Sequence, residues 1–201
     1  MNVLVCVKQV PGTNQVEVDP VTGVLKRDGV SGKLNPYDLY AVEAGLRLAQ
    51  ATQGRVWALS MGPPQAMSAL REVIAMGAEG GTLVSDRRFG GADVLATAYT
   101  LSQAIQTEEG VELVLCGKQT TDGDTAQVGP QIAEKLHLPQ VTYAGEITKD
   151  GDTLTVKRML EDGYMTIKVK TPCMITCIKE LNRVTCPWAA RSSATASLWS
   201  P

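Results

Sequence analysis

Short apolar runs alternate with amphipathic stretches four times in the first 140 residues, and this rhythm most limits what the chain can become. Residues 2–7 (Asn-Val-Leu-Val-Cys-Val) are apolar almost throughout, as a strand buried on both faces requires. Val56 to Ser60, Thr82 to Val84 and Glu112 to Cys116 read the same way. Between them lie segments with apolar residues at helical spacing. One opens at Pro36, with Asn35 as the expected N-cap and Ala41, Val42, Ala44, Leu46 and Leu48 on its inner face. A second runs from Pro63-Pro64 to a stop at Gly77, a third from Ala92 to Ile105, and a fourth from Thr125, the expected N-cap, to Leu136. Strand–helix alternation of this kind predicts an α/β fold: a doubly wound, mainly parallel sheet with helices on both faces.

Two segments depart from the rhythm. Residues 15–30 alternate around Asp19-Pro-Val-Thr-Gly23, which predicts a small hairpin. After Pro139, Val141–Ile147, Thr153–Met159, Met165–Val169 and Cys173–Ile178 read as strands without helices between them, an extension of the sheet by antiparallel partners. Residues 1–182 are expected to form one domain. Residues 183–201, with Trp188, Trp199 and the run Ser192 to Ser197, have no clear period and are expected to be a disordered tail.

Composition removes several functions. One histidine, His137, leaves no room for a histidine-rich zinc site, and its place at a helix end suits a contact with the helix dipole. One phenylalanine, Phe89, cannot build a stacking platform, and a pI near 5.5 without a basic cluster argues against nucleic acid. No apolar run of about 18 residues exists to span a membrane. Lys8 interrupts the first apolar run, so no secretory signal is expected. Five cysteines (Cys6, Cys116, Cys173, Cys177, Cys186) without a CxxC pair suggest buried thiols in a reducing cytoplasm.

In open parallel sheets ligands bind beyond the carboxyl ends of the strands, so the chemistry is sought at the strand-to-helix junctions. Four carry glycine or proline: Lys8-Gln-Val-Pro-Gly12, Met61-Gly-Pro-Pro64, Asp86-Arg-Arg-Phe-Gly-Gly-Ala-Asp93 and Gly117 through Gly129. Asn35-Pro-Tyr-Asp38 precedes the first helix. In the longest junction, a helix start offers N–H groups and a positive dipole end to a phosphate, while Asp122 and Asp124 suit ribose hydroxyls. The spacing matches neither GxGxxG nor GxxxxGK[ST], which disfavours a conventional NAD domain or a phosphate-loop ATPase. No side-chain pair reads as nucleophile and base, so no catalytic residue is expected.

At these junctions the chain resembles the beta subunit of electron-transfer flavoprotein, from residue 2 to about 182. The resemblance rests on Val5-Cys-Val-Lys-Gln-Val-Pro11, Asn35 to Asp38, Met61 to Pro64 and Gly117 to Gly129. It also includes Val156-Lys-Arg-Met-Leu-Glu-Asp-Gly163 followed by Pro172-Cys-Met-Ile-Thr176, with Met165 where an acidic or amide residue is usual. It implies an electron-carrier subunit that pairs with an FAD-bearing alpha subunit and holds either a structural AMP or, in the electron-bifurcating branch, a second FAD that takes a hydride from NADH. Asn35 to Asp38, Ser85 to Asp93 and Asp122 to Pro130 resemble the bifurcating branch. Carried over by position, Cys6, Asn35, Pro36, Tyr37, Asp38 and Met61 would line the adenosine and pyrophosphate. So would Gly117, Lys118, Gln119, Asp122, Gly123, Asp124, Thr125, Ala126, Gln127 and Val128. Phe89, Gly90, Gly91, Asp93 and Thr97 would lie toward the flavin or nicotinamide. Leu181 falls where the family docks on an acyl-CoA dehydrogenase.

Two other readings compete: a subunit with structural AMP alone, and an ATP-binding domain of related fold. After Asn182 the chain leaves the family's pattern, and a single-base shift in the coding frame would restore a family-like Arg-Tyr-Met-Ser-Val-Gly. The resemblance therefore carries the expectation of a frameshifted or shortened end and of weakened pairing with an alpha subunit.

Overall fold

The computed structural model describes residues 1–12, 17–18, 25–26 and 32–184. In chain order the strands are β1 (Val3–Cys6), β2 (Gln9–Pro11), β3 (Glu17–Val18), β4 (Leu25–Lys26), β5 (Gly32–Leu34), β6 (Val56–Met61), β7 (Gly80–Val84) and β8 (Leu113–Gly117). They continue with β9 (Gln140–Asp150), β10 (Thr153–Leu160), β11 (Gly163–Lys170) and β12 (Cys173–Cys177). The helices are α1 (Pro36–Thr52), α2 (Met67–Met76), α3 (Val94–Gln106) and α4 (Val128–Lys135).

Eight strands form one sheet in the order β11-β10-β9-β12-β8-β1-β6-β7. From β7 to β9 every neighbouring pair is parallel. Strands β10 and β11 then add antiparallel partners. The expected antiparallel extension is therefore right for β10 and β11 and wrong for β12, which inserts parallel between β8 and β9. Its residues Cys173 to Cys177 are buried without exception, and a central position in the parallel part of the sheet is what such a run satisfies.

Alternate residues of the central strands feed two cores. Val3, Val5, Leu113, Leu115 and Ile175 pack with Ala41, Val42 and Ala49 of α1 and Leu70 and Val73 of α2. Leu4, Cys6, Val114, Cys116 and Met174 pack on the other face with Ala98, Leu101 and Ile105 of α3 and Ile132 and Ala133 of α4. Gly45 lets α1 lie close to the sheet, since a Cβ there would meet Val5 and Val3 side chains at 3.2 and 3.3 Å. Cys6, Cys116, Cys173 and Cys177 are free and buried, and Cys186 falls outside the described residues.

The hairpin expected at 15–30 is present as β3 paired with β4. Its turn lies outside the described residues. Strands β2 and β5 form a second antiparallel pair. Gly77 ends α2 at φ 123°, as expected of the stop residue. The fourth helix corrects the expectation of a start at Thr125: α4 begins at Val128. Asp124 and Ala126 both take φ 55°, which interrupts any helix drawn from Thr125. Residues 181–184 return onto α1, where the Asn182 amide donates to the Tyr40 carbonyl at 3.1 Å and Arg47 to that of Arg183 at 3.2 Å. The remainder of the expected tail lies outside the described residues. No helix among the described residues is long and apolar enough to cross a membrane.

Candidate functional site

Strand β1 leads through α1 to β6 on one side, whereas β7 leads through α3 to β8 on the other. The order of the sheet thus reverses between β1 and β8. The carboxyl ends of such strands part and leave a crevice, the usual ligand position in this architecture.

Asp38 closes the floor of that crevice. Its carboxylate accepts the N–H of Lys8, just past β1, at 2.8 Å, and the N–H of Gly117, the last residue of β8, at 3.1 Å. The residue is 4% exposed. Burial raises its pKa to about 7, opposed by the Lys8, Asn35 and Gly117 hydrogen bonds and by the Lys8 charge. Gly117 is required at this contact, because a Cβ would lie 2.5 Å from Asp38 Oδ1 and 2.6 Å from the Tyr37 carbonyl carbon.

Asn35 ties the roof to the floor. Asn35 is the N-cap of α1, as expected, but its side chain makes no cap hydrogen bond. Its Nδ2 instead donates to the Gln119 carbonyl at 2.9 Å, and its Oδ1 accepts the Thr121 N–H at 3.3 Å. Its own N–H donates to the Lys8 carbonyl at 2.9 Å. Pro36 at the first helical position needs no N–H partner, so α1 can start with Asn35 turned away from it. Fully buried Asn35, through its backbone N–H and its side-chain amide, therefore joins the end of β1 and the start of α1 to the β8–α4 loop.

The β8–α4 loop has the backbone geometry of an anion cradle. The Asp122 carboxylate pairs with the Lys8 ammonium, and the Gln119 amide donates to the Asp124 carboxylate. Partial burial raises the Asp122 pKa, but its bonds to Lys8 and Thr120 outweigh that and hold it below the usual carboxylate value. These two carboxylates, expected to face a ribose, are engaged by Lys8 and Gln119. Beyond them the N–H groups of Thr125, Ala126, Gln127, Val128 and Gly129 donate to no protein acceptor among the described residues. Gln127 supplies no side-chain cap to α4, and Thr125, the expected cap, is exposed. Left-handed Ala126 followed by right-handed Gln127 is the alternation that gathers successive N–H groups into an anion-binding concavity. The positive end of α4 adds to it. Gly129 permits this approach, since a Cβ would meet Cys116 Sγ and Thr176 Cγ2 at 2.8 Å each.

The remaining expected residues occupy distinct places. Cys6 is buried on the α3–α4 face of β1, where burial and then the Asp38 charge push its thiol up to about 12. Such a thiol is an apolar wall and not a nucleophile. Met61 ends β6, half-buried, next to the β1 end. Pro36 and Tyr37 are also half-buried, in the first turn of α1. Phe89 closes a short 3-10 turn after β7, followed by Gly90 and Gly91. Strand β7 is the sheet edge, separated from β1 by β6, so this junction shares the carboxyl edge without joining the crevice. Asp93 caps α3 through the Ala96 N–H at 2.8 Å, and Thr97 is half-buried one turn on. Leu181 packs half-buried against the α1 side of the core. His137 follows α4 at φ 53° and is exposed.

A comparison with known proteins bears on this arrangement. Residues 22–198 match the family described as "Electron transfer flavoprotein domain". The chain belongs to that family. It is 54% identical over 182 residues to the electron transfer flavoprotein subunit beta of Thermoanaerobacterium thermosaccharolyticum, covering 90% of this chain and 70% of that protein. It is 54% identical over 183 residues to the acryloyl-CoA reductase electron transfer subunit gamma of Anaerotignum propionicum, covering 90% and 68%. It is 51% identical over 183 residues to the caffeyl-CoA reductase-Etf complex subunit CarD of Acetobacterium woodii, covering 90% and 70%. These relatives are electron transfer subunits by name, and two are named as parts of reductase complexes.

Tested against the phosphate of a nucleotide, the residues at the switch point fit. The cradle offers backbone N–H donors to a phosphate, and the Asp38 and Asn35 clasps hold its two sides at a fixed spacing.

Proposed function

We propose that this chain is the nucleotide-holding subunit of an electron-transferring flavoprotein, binding FAD at the β1–β8 crevice and pairing with an FAD-bearing alpha subunit in the cytoplasm. The observation that carries the reading is the run of unpartnered N–H groups from Thr125 to Gly129, held at the switch point by buried Asp38 and Asn35. The relatives' names support an electron-transfer role, and the two reductase-complex names favour the bifurcating kind, in which NADH delivers a hydride. A bound flavin supplies the electron-accepting ring, so the chain acts as a carrier subunit and not as an enzyme by itself. Its own residues bind, orient and exclude water. The Thr125 to Gly129 N–H groups receive phosphate. Cys6 and Met61 wall the adenosine side, and Tyr37 stands at the mouth. The Phe89 to Asp93 junction and Thr97 serve the far end of a long dinucleotide on the same sheet edge. Electrons pass to a reductase or acyl-CoA dehydrogenase type of partner, with Leu181 as the contact on this chain.

A structural AMP in place of FAD is the second reading, favoured by a cradle that one phosphate can fill. Co-expression with the matching alpha subunit, followed by counting flavin and adenine nucleotide per heterodimer, separates the two. Two flavins per heterodimer are expected. One flavin with one AMP would establish the structural reading, and ATP turnover by the isolated chain would overturn both.

A further inference from the structure

We propose that the Lys8–Asp122 ion pair straps the tip of the β8–α4 loop to the end of β1, and that this strap parts each time a nucleotide enters or leaves the crevice. This rests on the nucleotide reading above and adds to it a control on the rate of exchange.

One end of the strap is a fixed post. Lys8 lies two residues past β1, and its N–H donates to the Asp38 carboxylate at 2.8 Å while its carbonyl accepts the Asn35 N–H at 2.9 Å. Both partners are buried, so the main chain of Lys8 cannot shift without breaking shielded bonds. The other end is a lightly held tip. The Asn35 side chain holds the loop as far as Gln119 and Thr121. Beyond Thr121 the bonds turn inward. The N–H groups of Gly123 and Asp124 donate to Thr120 Oγ1 and to the Thr120 carbonyl at 3.3 and 3.0 Å, and the Gln119 amide donates to the Asp124 carboxylate. These bonds shape the tip without attaching it. Among the described residues, the Lys8 ammonium on the Asp122 carboxylate is the one hydrogen bond or ion pair that joins residues 122–127 to anything outside the loop and α4.

Three ties thus cross between the walls that part at the switch point, and they are graded by depth. Asp38 to Gly117 and Asn35 to Gln119 and Thr121 are held by buried side chains, whereas in the third tie the side chains of Lys8 and Asp122 are 45% and 31% exposed. An exposed ion pair is weak enough to break and remake while buried bonds persist. The tip it holds carries Thr125, Ala126 and Gln127, the first of the N–H groups without protein acceptors, so the cradle moves with the strap. Residues 121–125 are exposed and gain little packing that would hold them once the pair parts.

The test is stopped-flow fluorescence with N-methylanthraniloyl-AMP on the full 201-residue chain freed of nucleotide, with dissociation read by a chase of excess AMP. Asp122→Asn is expected to raise the association and dissociation rate constants together, each about threefold, the scale of one exposed ion pair. Loss of a negative charge beside an anionic ligand acts otherwise: it speeds association and slows dissociation. The exchanged pair Lys8→Asp with Asp122→Lys is expected to return both constants toward the wild-type values. Circular dichroism checks that each variant folds. Any other pattern in Asp122→Asn, with either constant unchanged or the two moving in opposite directions, would overturn the strap and leave the nucleotide reading standing. So would an exchanged pair in which both constants stay raised. Failure of the wild type to bind the labelled AMP or AMP itself would overturn that reading, and the strap with it.

Discussion

Gly117→Ala is expected to destabilise the protein by about 3 kcal/mol or more and to abolish nucleotide binding. The added methyl would lie 2.5 Å from Asp38 Oδ1 and 2.6 and 2.7 Å from the Tyr37 carbonyl carbon and Cβ. Backbone atoms cannot swing aside as the tip of a flexible side chain can. The first turn of α1 must therefore move away from β8, or β8 must end earlier. Either movement breaks the Gly117–Asp38 hydrogen bond and separates the two walls of the crevice. Chemical denaturation and equilibrium binding of AMP check the two parts. A variant with wild-type stability and affinity would show that the close approach of α1 to β8 is unnecessary.

Asp38→Ala is the second large effect. It removes the acceptor for two N–H groups, those of Lys8 and Gly117, and leaves the buried one at Gly117 without a partner, at a cost of about 3 kcal/mol. Asp38→Asn isolates the charge. Burial raises the folded-state pKa of Asp38 to about 7, above the unfolded value of 3.8. Between those limits the folded state holds a proton that the unfolded state has released, so folding is weakened as pH rises. The stability that Asp38 contributes is thus present in full below about pH 4 and is lost as pH rises through about 7. Urea midpoints of wild type and Asp38→Asn are expected to diverge in favour of the wild type as pH falls from neutral toward about 5, where the wild-type carboxyl becomes neutral. Parallel profiles would place Asp38 in a different protonation balance.

Much of this fold is legible in the sequence because it is carried by local signals. The central strands read as continuous apolar runs, and Gly77 marks the end of α2 through its positive φ. The glycines of the β8–α4 junction and the helix pattern after it mark the place of the cradle, but not its chemistry. Thr125 has the composition of a cap, yet the chain reserves its N–H groups by placing Ala126 in the left-handed region, a choice that an alanine does not announce. Asp122 and Asp124 read as free ligands because their partners, Lys8 and Gln119, become neighbours through the fold or the local turn. The role of Asn35 depends on contacts 84 and 86 residues away, and a capping motif in the sequence looks the same whether or not it is used. Insertion of β12 between β8 and β9 is likewise a long-range pairing, and runs of buried strand residues do not state their neighbours. The stacking of Lys118 and Arg158 on Tyr143 also depends on pairing across β8, β12, β9 and β10, and of the three only Lys118, at the β8–α4 junction, carries a signal in the sequence.

The central claim is that nucleotide binds at the β1–β8 switch point, and amide hydrogen exchange with and without saturating FAD or AMP tests it most directly. The account predicts slowed exchange at Thr125, Ala126, Gln127, Val128 and Gly129, whose N–H groups lack protein acceptors in the free chain. Protection confined to the amino edge of the sheet, around Asn2, Arg55 and Glu108, or to residues 86–97 after β7, with these five amides unchanged, would contradict it.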